Sequence, residues 1–300
     1  MIRIAFIINA SRKLGPDVLS VLKKSQLAEG LKCTTHKTKR EKDAIDLSRE
    51  AAKQNDIIVA VGGDGTCNEV VNGIMLSEKP NIVFAVVPNG TGNDFHGMLG
   101  EFNSEKFVRS LQEFKANKID LCRIESDSGV YYSINISGCG FDGFVVNVLN
   151  RQRSKLGIKG KGSYALAIVR AFGLYRKPKV IIRSDELNYK GKMLMIAACN
   201  GNTFGHGLVI HPKATLNSGY LGVTLLQDVS LLDYVRNLSK LKRGEEIKHP
   251  EATYFRTKKI TVRSATNLLY IQADGETVGK KNEATFQITP GAISLLNVHY

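Results

Sequence analysis

Two glycine-rich segments, each directly after a short apolar run, constrain the fold of this chain more than any other feature. Residues 62–66 follow the apolar run 57–61, and residues 88–94 follow the run 82–87. Apolar runs of this length that alternate with helix-like stretches are typical of a parallel sheet with helices on both faces. Ligands bind at the carboxyl ends of the strands in such sheets, so the two segments predict one shared binding edge.

The character of the chain changes after Asp120. Before it, strands are predicted at residues 2–8, 57–61 and 82–87, and helices at 16–29, 41–53, 67–76 and 102–114. After it, strands are predicted at 131–136, 179–183, 193–198, 221–226, 259–262 and 268–273, with helices at 164–174 and 231–241. We therefore predict an α/β domain with a parallel sheet flanked by helices, followed by a mainly β, sandwich-like domain.

The charge balance predicts an anionic partner. The 42 Lys and Arg residues outnumber the 28 Asp and Glu residues, which gives a net charge of +14. Nucleic acid, an acidic membrane surface or a phosphorylated ligand would each suit this excess, and solubility alone is left open. The five cysteines are odd in number and widely spaced, which favours reduced thiols in a cytosolic protein. No signal peptide or membrane-spanning segment is predicted.

The composition of the two glycine-rich segments points to a bound nucleoside triphosphate. Gly62, Gly63 and Gly65 let the main chain approach a ligand closely, and the following helix aims its N-terminal amides at the same place. Thr66 can cap that helix or donate to a phosphate. Asp64 beside an anion calls for a cation, so we expect Mg²⁺ there. No Walker sequence occurs in the chain, which argues against a P-loop enzyme, and the first glycine-rich segment does not read GxGxxG, which argues against a dinucleotide site there.

Several segments resemble the diacylglycerol kinase catalytic domain family, in particular its soluble bacterial lipid kinases. GGDGTCNEVVNG at 62–73 and PNGTGNDF at 88–95 carry the resemblance, and segments at 135–142, 199–214, 273–276 and 289–298 extend it in the family's order. The resemblance implies a nucleotide-binding α/β domain over 1–124 to which 287–300 return, and a β-rich lipid-binding domain over 125–286. It also implies an active site in the cleft between the domains.

The resemblance implies an ATP-dependent lipid kinase that uses Mg²⁺ and acts in phospholipid metabolism. Diacylglycerol, converted to phosphatidic acid, is the expected acceptor, and a sphingoid base, another glycerolipid or a polyprenol is left open. Glu276 corresponds to the proton acceptor, Asp274 beside it in the same motif is the alternative proton acceptor, and Asp64 is expected to hold the catalytic Mg²⁺. The nucleotide-binding positions are Asn9, Thr38, Gly62, Gly63, Asp64, Gly65, Thr66, Asn68 and Thr91.

Two departures from the family pattern affect the prediction. The segment after the first strand reads Asn-Ala-Ser-Arg-Lys at 9–13, without the family's usual Pro and Gly. The bacterial enzymes often bind a structural Mg²⁺ through an aspartate that precedes a glycine in the second domain. Here Ser218 stands at that place, between Thr215 and Tyr220, and a neutral hydroxyl is a poor sole ligand for Mg²⁺. We therefore do not expect this structural metal site.

Two basic groups are predicted to dock the protein on an anionic membrane surface. They are Arg151, Arg153, Lys155, Lys159 and Lys161, and Arg256, Lys258, Lys259 and Arg263. No nucleic-acid partner is predicted, because no binding motif accompanies the charge. The expected location is the cytoplasm, with peripheral association at the inner membrane surface. The sequence leaves the oligomeric state open, a homodimer included.

Two other functions remain open at this stage. An NAD kinase shares the GGDGT segment and a related first domain, and it would phosphorylate a soluble nucleotide. A non-catalytic relative would keep the fold and bind nucleotide or lipid without forming a product. The matches at Gly90–Asp94 and Asp274–Glu276 weigh against an NAD kinase, and the departures at residues 10–13 and 218 keep the non-catalytic relative open.

Overall fold

A computed structural model describes residues 1–79, 81–126, 129–156, 161–205 and 207–298. Its contacts divide the chain into a first unit, Met1–Leu121 with Pro290–Tyr300, and a second unit, Cys122–Thr289. The domain boundaries predicted from the sequence lie three residues from these divisions at each junction.

A parallel sheet forms the centre of the first unit. Its strands are β1 (Ile2–Ile8), β2 (Leu31–Lys37), β3 (Ile57–Gly62) and β4 (Val83–Pro88), and its helices are α1 (Pro16–Leu27), α2 (Asp43–Ala52), α3 (Asp64–Leu76), α4 (Asp94–Gly97) and α5 (Ser104–Glu113). The strand order is β2-β1-β3-β4, and the end of the long strand β18 (Glu283–Leu296) pairs in parallel with β4. Helices α1 and α5 pack on one face, while α2 contacts β1 and β3. The strands are buried on both faces, which explains their continuous apolar sequences.

The second unit contains most of the remaining strands and three helices. Its strands are β5 (Ala116–Ser126, which begins in the first unit), β6 (Gly129–Ser133), β7 (Ile136–Gly140), β8 (Lys179–Ser184), β9 (Asn188–Lys192), β10 (Met195–Cys199), β11 (Thr203–Phe204), β12 (Leu208–Val209), β13 (Leu221–Leu226), β14 (Ala252–Thr257), β15 (Lys259–Ser264), β16 (Leu269–Ala273) and β17 (Glu276–Lys281). The helices are α6 (Phe141–Leu156), α7 (Lys161–Leu174) and α8 (Leu231–Arg243).

Two antiparallel sheets of the second unit pack face to face. One has the order β14-β13-β10-β7-β16-β17, and the other contains β18-β15-β8-β9, with β5 paired to β18 and to β6. Ile182 and Phe286 from one sheet and Ile196 and Ile271 from the other lie in a common buried core. The predicted fold class, an α/β domain followed by a β sandwich-like domain, is therefore confirmed.

Several elements differ from the sequence prediction, which did not include strands β2, β5, β9, β11, β12, β14 and β17 or helices α4 and α6. Strand β2 was not predicted, because its residues alternate between half-buried and exposed positions and form no apolar run. Helix α6 was not predicted either, although its first turns pack Phe141 and Val145 into a core with α7. The single strand predicted at 131–136 is interrupted, because β6 ends at Ser133 and β7 begins at Ile136.

Within the described residues, no helix combines the length and the apolar character needed to cross a membrane. The five cysteines are free thiols, and four of them are buried. Burial raises the pKa of the Cys122 thiol to about 12, so this side chain stays protonated at neutral pH.

The buried carboxyl of Asp142, at the start of α6, is expected to make stability depend on pH. Burial raises its pKa to about 6, although Gln272 Nε2 donates to it at 3.0 Å. Because the unfolded chain releases this proton near pH 4, the folded state loses stability as pH rises from about 4 to 6. We expect Asp142→Asn to raise the free energy of unfolding by about 1–3 kcal/mol at pH 8 and by less at pH 5.

Urea unfolding of both proteins at the two pH values checks this expectation, with Asp185→Asn as an exposed control. A gain for Asp142→Asn that is equal at pH 5 and pH 8 would contradict the assignment.

Candidate active site

The loops that follow four neighbouring strands lie at the carboxyl-terminal edge of the parallel sheet in the first unit. Thr38 follows β2, Asn9 follows β1, and the first glycine loop (residues 62–66) follows β3. The second glycine loop (residues 88–94) follows β4. The structure thus brings together the nucleotide-binding residues that were predicted from separate parts of the chain.

The two glycine loops are in direct contact. A methyl group added to Gly90 would lie 2.5 Å from the Cα of Gly63, so only glycine fits at this approach. The amide of Asn89 donates to the carbonyl of Gly62 at 2.8 Å. Asn93 Oδ1 accepts from the amide of Gly90 at 3.0 Å and holds the second loop in its bend. The loops therefore form one continuous main-chain surface.

Hydrogen bonds also connect the glycine loops to the first two strand ends. Asn9 Nδ2 donates to the Thr66 hydroxyl at 3.1 Å. The Thr38 hydroxyl accepts from the amide of Ala10 at 3.1 Å. Asn89 Oδ1 accepts from the amide of Gly15, the residue that precedes α1, at 3.4 Å. The N-terminus of α1 therefore lies at the same edge as the glycine loops.

Helix α3 begins earlier than the sequence predicted, at Asp64 instead of Cys67. Gly63 is its N-cap residue and no side chain caps its first turn, so Asp64, Gly65 and Thr66 are helical. The first amides of a helix have no partners within it, and they favour an anion. Asn68 is buried one turn further along the helix, whereas Thr91 is exposed in the second loop.

Two carboxylates flank the exposed end of the second loop. Asp64 Oδ1 accepts from the amide of Phe95 at 2.9 Å, which joins α3 to α4. A methyl group added to Gly92 would lie 3.1 Å from Asp64 Oδ2 and 3.6 Å from Asp94 Oδ2. Asp94 was not among the predicted site residues, although its place at the end of the second glycine-rich segment was a usable signal.

The late acidic motif lies in the second unit, and its two carboxylates have different surroundings. Asp274 lies in the turn between β16 and β17. Its carboxylate accepts hydrogen bonds from Ser133 Oγ and from the amides of residues 134–136 at 2.7–3.0 Å. Glu276 begins β17 with an exposed side chain. Asp274 therefore fixes the main chain between β6 and β7, whereas Glu276 is accessible from solvent.

Two known domains match the chain in sequence order. Residues 3–124 match the diacylglycerol kinase catalytic domain, and residues 135–297 match the YegS C-terminal NAD kinase beta sandwich-like domain. The diacylglycerol kinase of Staphylococcus haemolyticus is 30% identical over 273 residues, which cover 88% of this chain and 77% of that protein. The chain belongs to the diacylglycerol kinase family. Membership supports a phosphotransferase and confirms the predicted family.

Other proteins are similar to this chain. The diacylglycerol kinase of Staphylococcus saprophyticus is 29% identical over 272 residues, covering 88% of this chain and 84% of that protein. The crystal structure of a diacylglycerol kinase from Bacillus anthracis matches with a TM-score of 0.71 at 18% identity, over 98% and 96% of the chains. An NAD kinase from Archaeoglobus fulgidus in complex with ATP matches with a TM-score of 0.57 at 14% identity, over 99% and 94%. The structural matches show a common fold.

The residues beside the two glycine loops fit a divalent cation. Among the described residues, no group of three or more His, Cys, Asp and Glu side chains forms a complete metal cage. Mg²⁺ rarely needs one, because it binds one or two carboxylates and takes its other ligands from phosphates and water. Asp64 and Asp94 supply that pair of carboxylates.

His96, in the short helix α4 after the second loop, is expected to be neutral. Burial lowers the pKa of its imidazole, although the nearby Asp64 carboxylate acts in the opposite direction. The ring packs edge-on against Phe102 at 5.7 Å between centroids. A neutral, packed imidazole stabilises the position of α4 and adds no charge beside the two carboxylates.

The segment that would hold a structural metal forms a tight turn instead. Ser218 Oγ donates to the Tyr220 carbonyl at 2.9 Å and accepts from the Tyr220 amide at 3.2 Å. The Ser218 amide also donates to the Thr215 carbonyl at 3.4 Å. The Ser218 hydroxyl is thus engaged within its own turn, and the expected absence of a structural Mg²⁺ stays a prediction.

The two predicted basic groups are placed differently by the structure. In the first group Arg151 is exposed in α6, while Lys159 and the side chains of Arg153, Lys155 and Lys161 lie outside the described residues. The second group divides into two parts. Arg256 and Lys258 lie 5.6 and 5.4 Å from the Tyr220 ring centroid, whereas Lys259 and Arg263 belong to β15.

Proposed function

We propose that this protein transfers the γ-phosphoryl group of ATP to a lipid hydroxyl, with diacylglycerol as acceptor and phosphatidic acid as product. The observation that carries the proposal is the contact between the two glycine loops at the N-terminus of α3, with Asp64 and Asp94 beside them. Main-chain amides at a helix N-terminus bind phosphate, and neighbouring carboxylates suit the cation that accompanies a triphosphate.

The nucleotide is proposed to lie along the four strand ends of the first unit. The amides of the glycine loops face its phosphates, and Asn9 orients the Thr66 hydroxyl beside them. Thr38 and Thr91 complete the nucleotide contacts in this proposal. ATP as the donor is supported by the A. fulgidus NAD kinase, a structural match that was solved in complex with ATP.

A magnesium ion is proposed to be held by Asp64 and Asp94. When bound, it spreads the negative charge of the transferring phosphoryl group. Asp64 is held for this role by the Phe95 amide, which binds one carboxylate oxygen and leaves the other on the side of Asp94. Phosphoryl transfer depends mainly on such positioning and on electrostatic stabilisation.

Glu276 is proposed to accept the proton of the lipid hydroxyl. The hydroxyl oxygen forms a bond to the γ-phosphorus, the bond from that phosphorus to ADP breaks, and the proton moves to the carboxylate. A lipid hydroxyl is a weak nucleophile, so a carboxylate within hydrogen-bond reach contributes strongly. The exposed side chain of Glu276 supports this role. The four hydrogen bonds that the Asp274 carboxylate accepts support a structural role for Asp274 instead. The interdomain cleft as the acceptor site stays a prediction.

The proposed acceptor also bears on location. Diacylglycerol resides in a bilayer, so we propose a cytoplasmic protein that associates peripherally with the inner membrane surface and acts in phospholipid biosynthesis. The net charge of +14 supports attraction to such an anionic surface.

A panel of acceptors tests the proposal. The protein is incubated with Mg²⁺ and labelled ATP, together with diacylglycerol, a sphingoid base or a polyprenol in mixed micelles, or with NAD in buffer. We expect the label to enter the organic phase, most rapidly with diacylglycerol. Label that appears only in NADP would establish an NAD kinase instead. Nucleotide or lipid binding with no labelled product would identify a non-catalytic relative.

The contact between the glycine loops gives a further prediction. Gly90→Ala would place a methyl group 2.5 Å from the Cα of Gly63, so the loops must separate. We expect the affinity for ATP to fall by about tenfold or more, the equivalent of about 1.4 kcal/mol. Gly97→Ala is the matched control, since a methyl group there meets nothing within 4 Å. Calorimetric titration with ATP measures both variants, and equal affinities would contradict the predicted nucleotide position.

A further inference from the structure

One sheet of the second unit has two opposite faces of very different character. Along β8, β15 and β18, alternate residues such as Val180, Ile182, Val262 and Phe286 are at most 1% exposed and form the sandwich core. Side chains alternate between the two faces of a strand. The residues between these core positions therefore point away from the core.

The outward positions of β8, β9 and β15 carry six exposed basic residues, here called the basic sheet face. They are Lys179, Arg183, Lys190, Lys192, Lys259 and Arg263. The strand register makes them neighbours. Lys179 lies directly opposite Lys192, and Ile181 lies between Lys190 and Arg263.

Few acidic residues balance this charge. Ion pairs join Arg263 to Glu283 on the face, Arg123 to Glu125 on β5, and Lys177 to Asp228 near Lys192. Asp185 and Glu186 lie in the turn between β8 and β9, at one end of the face. Apart from Ile181, the other outward side chains are polar, among them Thr261 and Thr285, whose hydroxyls are 3.0 Å apart.

Structure alone does not account for this arrangement. Like charges opposite each other in a sheet are destabilising, as for Lys179 and Lys192. Protection of an edge strand against aggregation would require charges on β9, the last strand of the sheet, but β8 and β15 carry them as well. Solubility would be served equally well by a mixture of both signs. An anionic partner accounts for a surface whose exposed charges are nearly all positive.

We infer that the basic sheet face docks the protein on an anionic phospholipid bilayer. The inference rests on the proposed lipid-kinase function, which requires access to a membrane-held acceptor. Of the outward positions of β8, β9 and β15, only Ile181 is apolar and none is aromatic. A protein interface would need an apolar core, and single-stranded nucleic acid would need stacking platforms. A sheet of dispersed cations suits a bilayer, where each adds about fivefold to binding, or about 1 kcal/mol.

Vesicle sedimentation tests the inference. The binding variant carries glutamine at four positions of the β8–β9 hairpin, Lys179→Gln, Arg183→Gln, Lys190→Gln and Lys192→Gln. The matched control removes four exposed cations of the first unit, Lys23→Gln, Lys32→Gln, Lys106→Gln and Arg109→Gln. Both variants lower the net charge from +14 to +10, since 14 − 4 = 10. A double variant, Lys190→Gln with Lys192→Gln, repeats the test with less change to the strands.

We expect partitioning of the binding variant to phosphatidylglycerol vesicles to fall more than tenfold relative to the parent protein. The double variant should lose about half as much binding free energy. Partitioning of the control should stay within about threefold of the parent value. Partitioning of the parent should fall as salt increases and should be weak on phosphatidylcholine. Equal losses in the binding variant and the control would overturn the inference. So would loss of duplex DNA binding with unchanged vesicle binding.

Activity in detergent micelles separates this inference from the proposed function. We expect the binding variant to phosphorylate a short-chain diacylglycerol in micelles at the parental rate, because the basic sheet face contains none of the proposed catalytic residues. Parent protein that binds anionic vesicles through this face but phosphorylates no lipid would refute the proposed function and leave the docking face standing.

Discussion

Glu276→Gln is expected to lower the turnover number for lipid phosphorylation by about 10²–10⁴-fold. Glutamine keeps the size of the side chain but cannot accept the hydroxyl proton. The affinity for ATP should stay within about twofold of the parent value, because Glu276 belongs to the second unit and the nucleotide is proposed to lie on the first. Steady-state rates at saturating ATP, with calorimetric titration of the nucleotide, measure both quantities.

Asp274→Asn is the informative comparison for Glu276→Gln. The Asp274 carboxylate accepts four hydrogen bonds from residues 133–136, so its replacement removes a structural anchor. We expect the free energy of unfolding to fall by about 1–3 kcal/mol, an effect that Glu276→Gln should not show. Full activity in Glu276→Gln, or equal destabilisation by both substitutions, would contradict the separate roles given to the two carboxylates.

The second large effect is expected at Asp64. Asn keeps the oxygen that accepts from the Phe95 amide at 2.9 Å, so the fold of α3 and α4 should be retained. It removes the negative charge proposed to hold Mg²⁺, and turnover should fall by about 10²–10³-fold, the equivalent of about 3–4 kcal/mol. ATP binding should also become less dependent on Mg²⁺. Rates and ATP affinities measured over a range of Mg²⁺ concentrations check both expectations.

Asp185→Asn provides a control for Asp64→Asn, since Asp185 is an exposed carboxylate in the turn between β8 and β9, in the second unit. Asp185→Asn should leave turnover and the dependence on Mg²⁺ unchanged. An Asp64→Asn protein with the parental rate and the parental Mg²⁺ requirement would show that this carboxylate does not serve the cation.

The sequence predicted much of the nucleotide-binding part of the candidate site. Glycine runs after buried strands fall at one sheet edge in any parallel α/β unit, so the neighbourhood of Gly63 and Gly90 followed from topology. The hydrogen bond from Asn9 to Thr66 joins residues 57 positions apart, and the family resemblance had already grouped them. Asp64 was also informative, because a carboxylate beside a predicted phosphate site indicates a bound cation.

Other features depend on tertiary contacts that have no local signal. The anchor role of Asp274 requires residues 133–136, which are distant from it in sequence. These residues also interrupt the single strand that was predicted at 131–136. Strand β2 exists because it pairs with β1, although its own residues form no apolar run. The basic sheet face combines the β8–β9 hairpin with β15, about 70 residues later, so the sequence alone could group Lys259 with Arg263 but not with the basic residues of the hairpin. The pairing of β8 with β9 and with β15 makes these basic residues neighbours.

Product analysis is the most direct test of the account. The protein is incubated with ATP, Mg²⁺ and dioleoylglycerol in mixed micelles, and ADP and lipid products are quantified by mass spectrometry. The account predicts phosphatidic acid and ADP in equal amounts, and loss of both with Glu276→Gln. ADP without a phosphorylated lipid, or phosphatidic acid formed equally fast by Glu276→Gln, would contradict it.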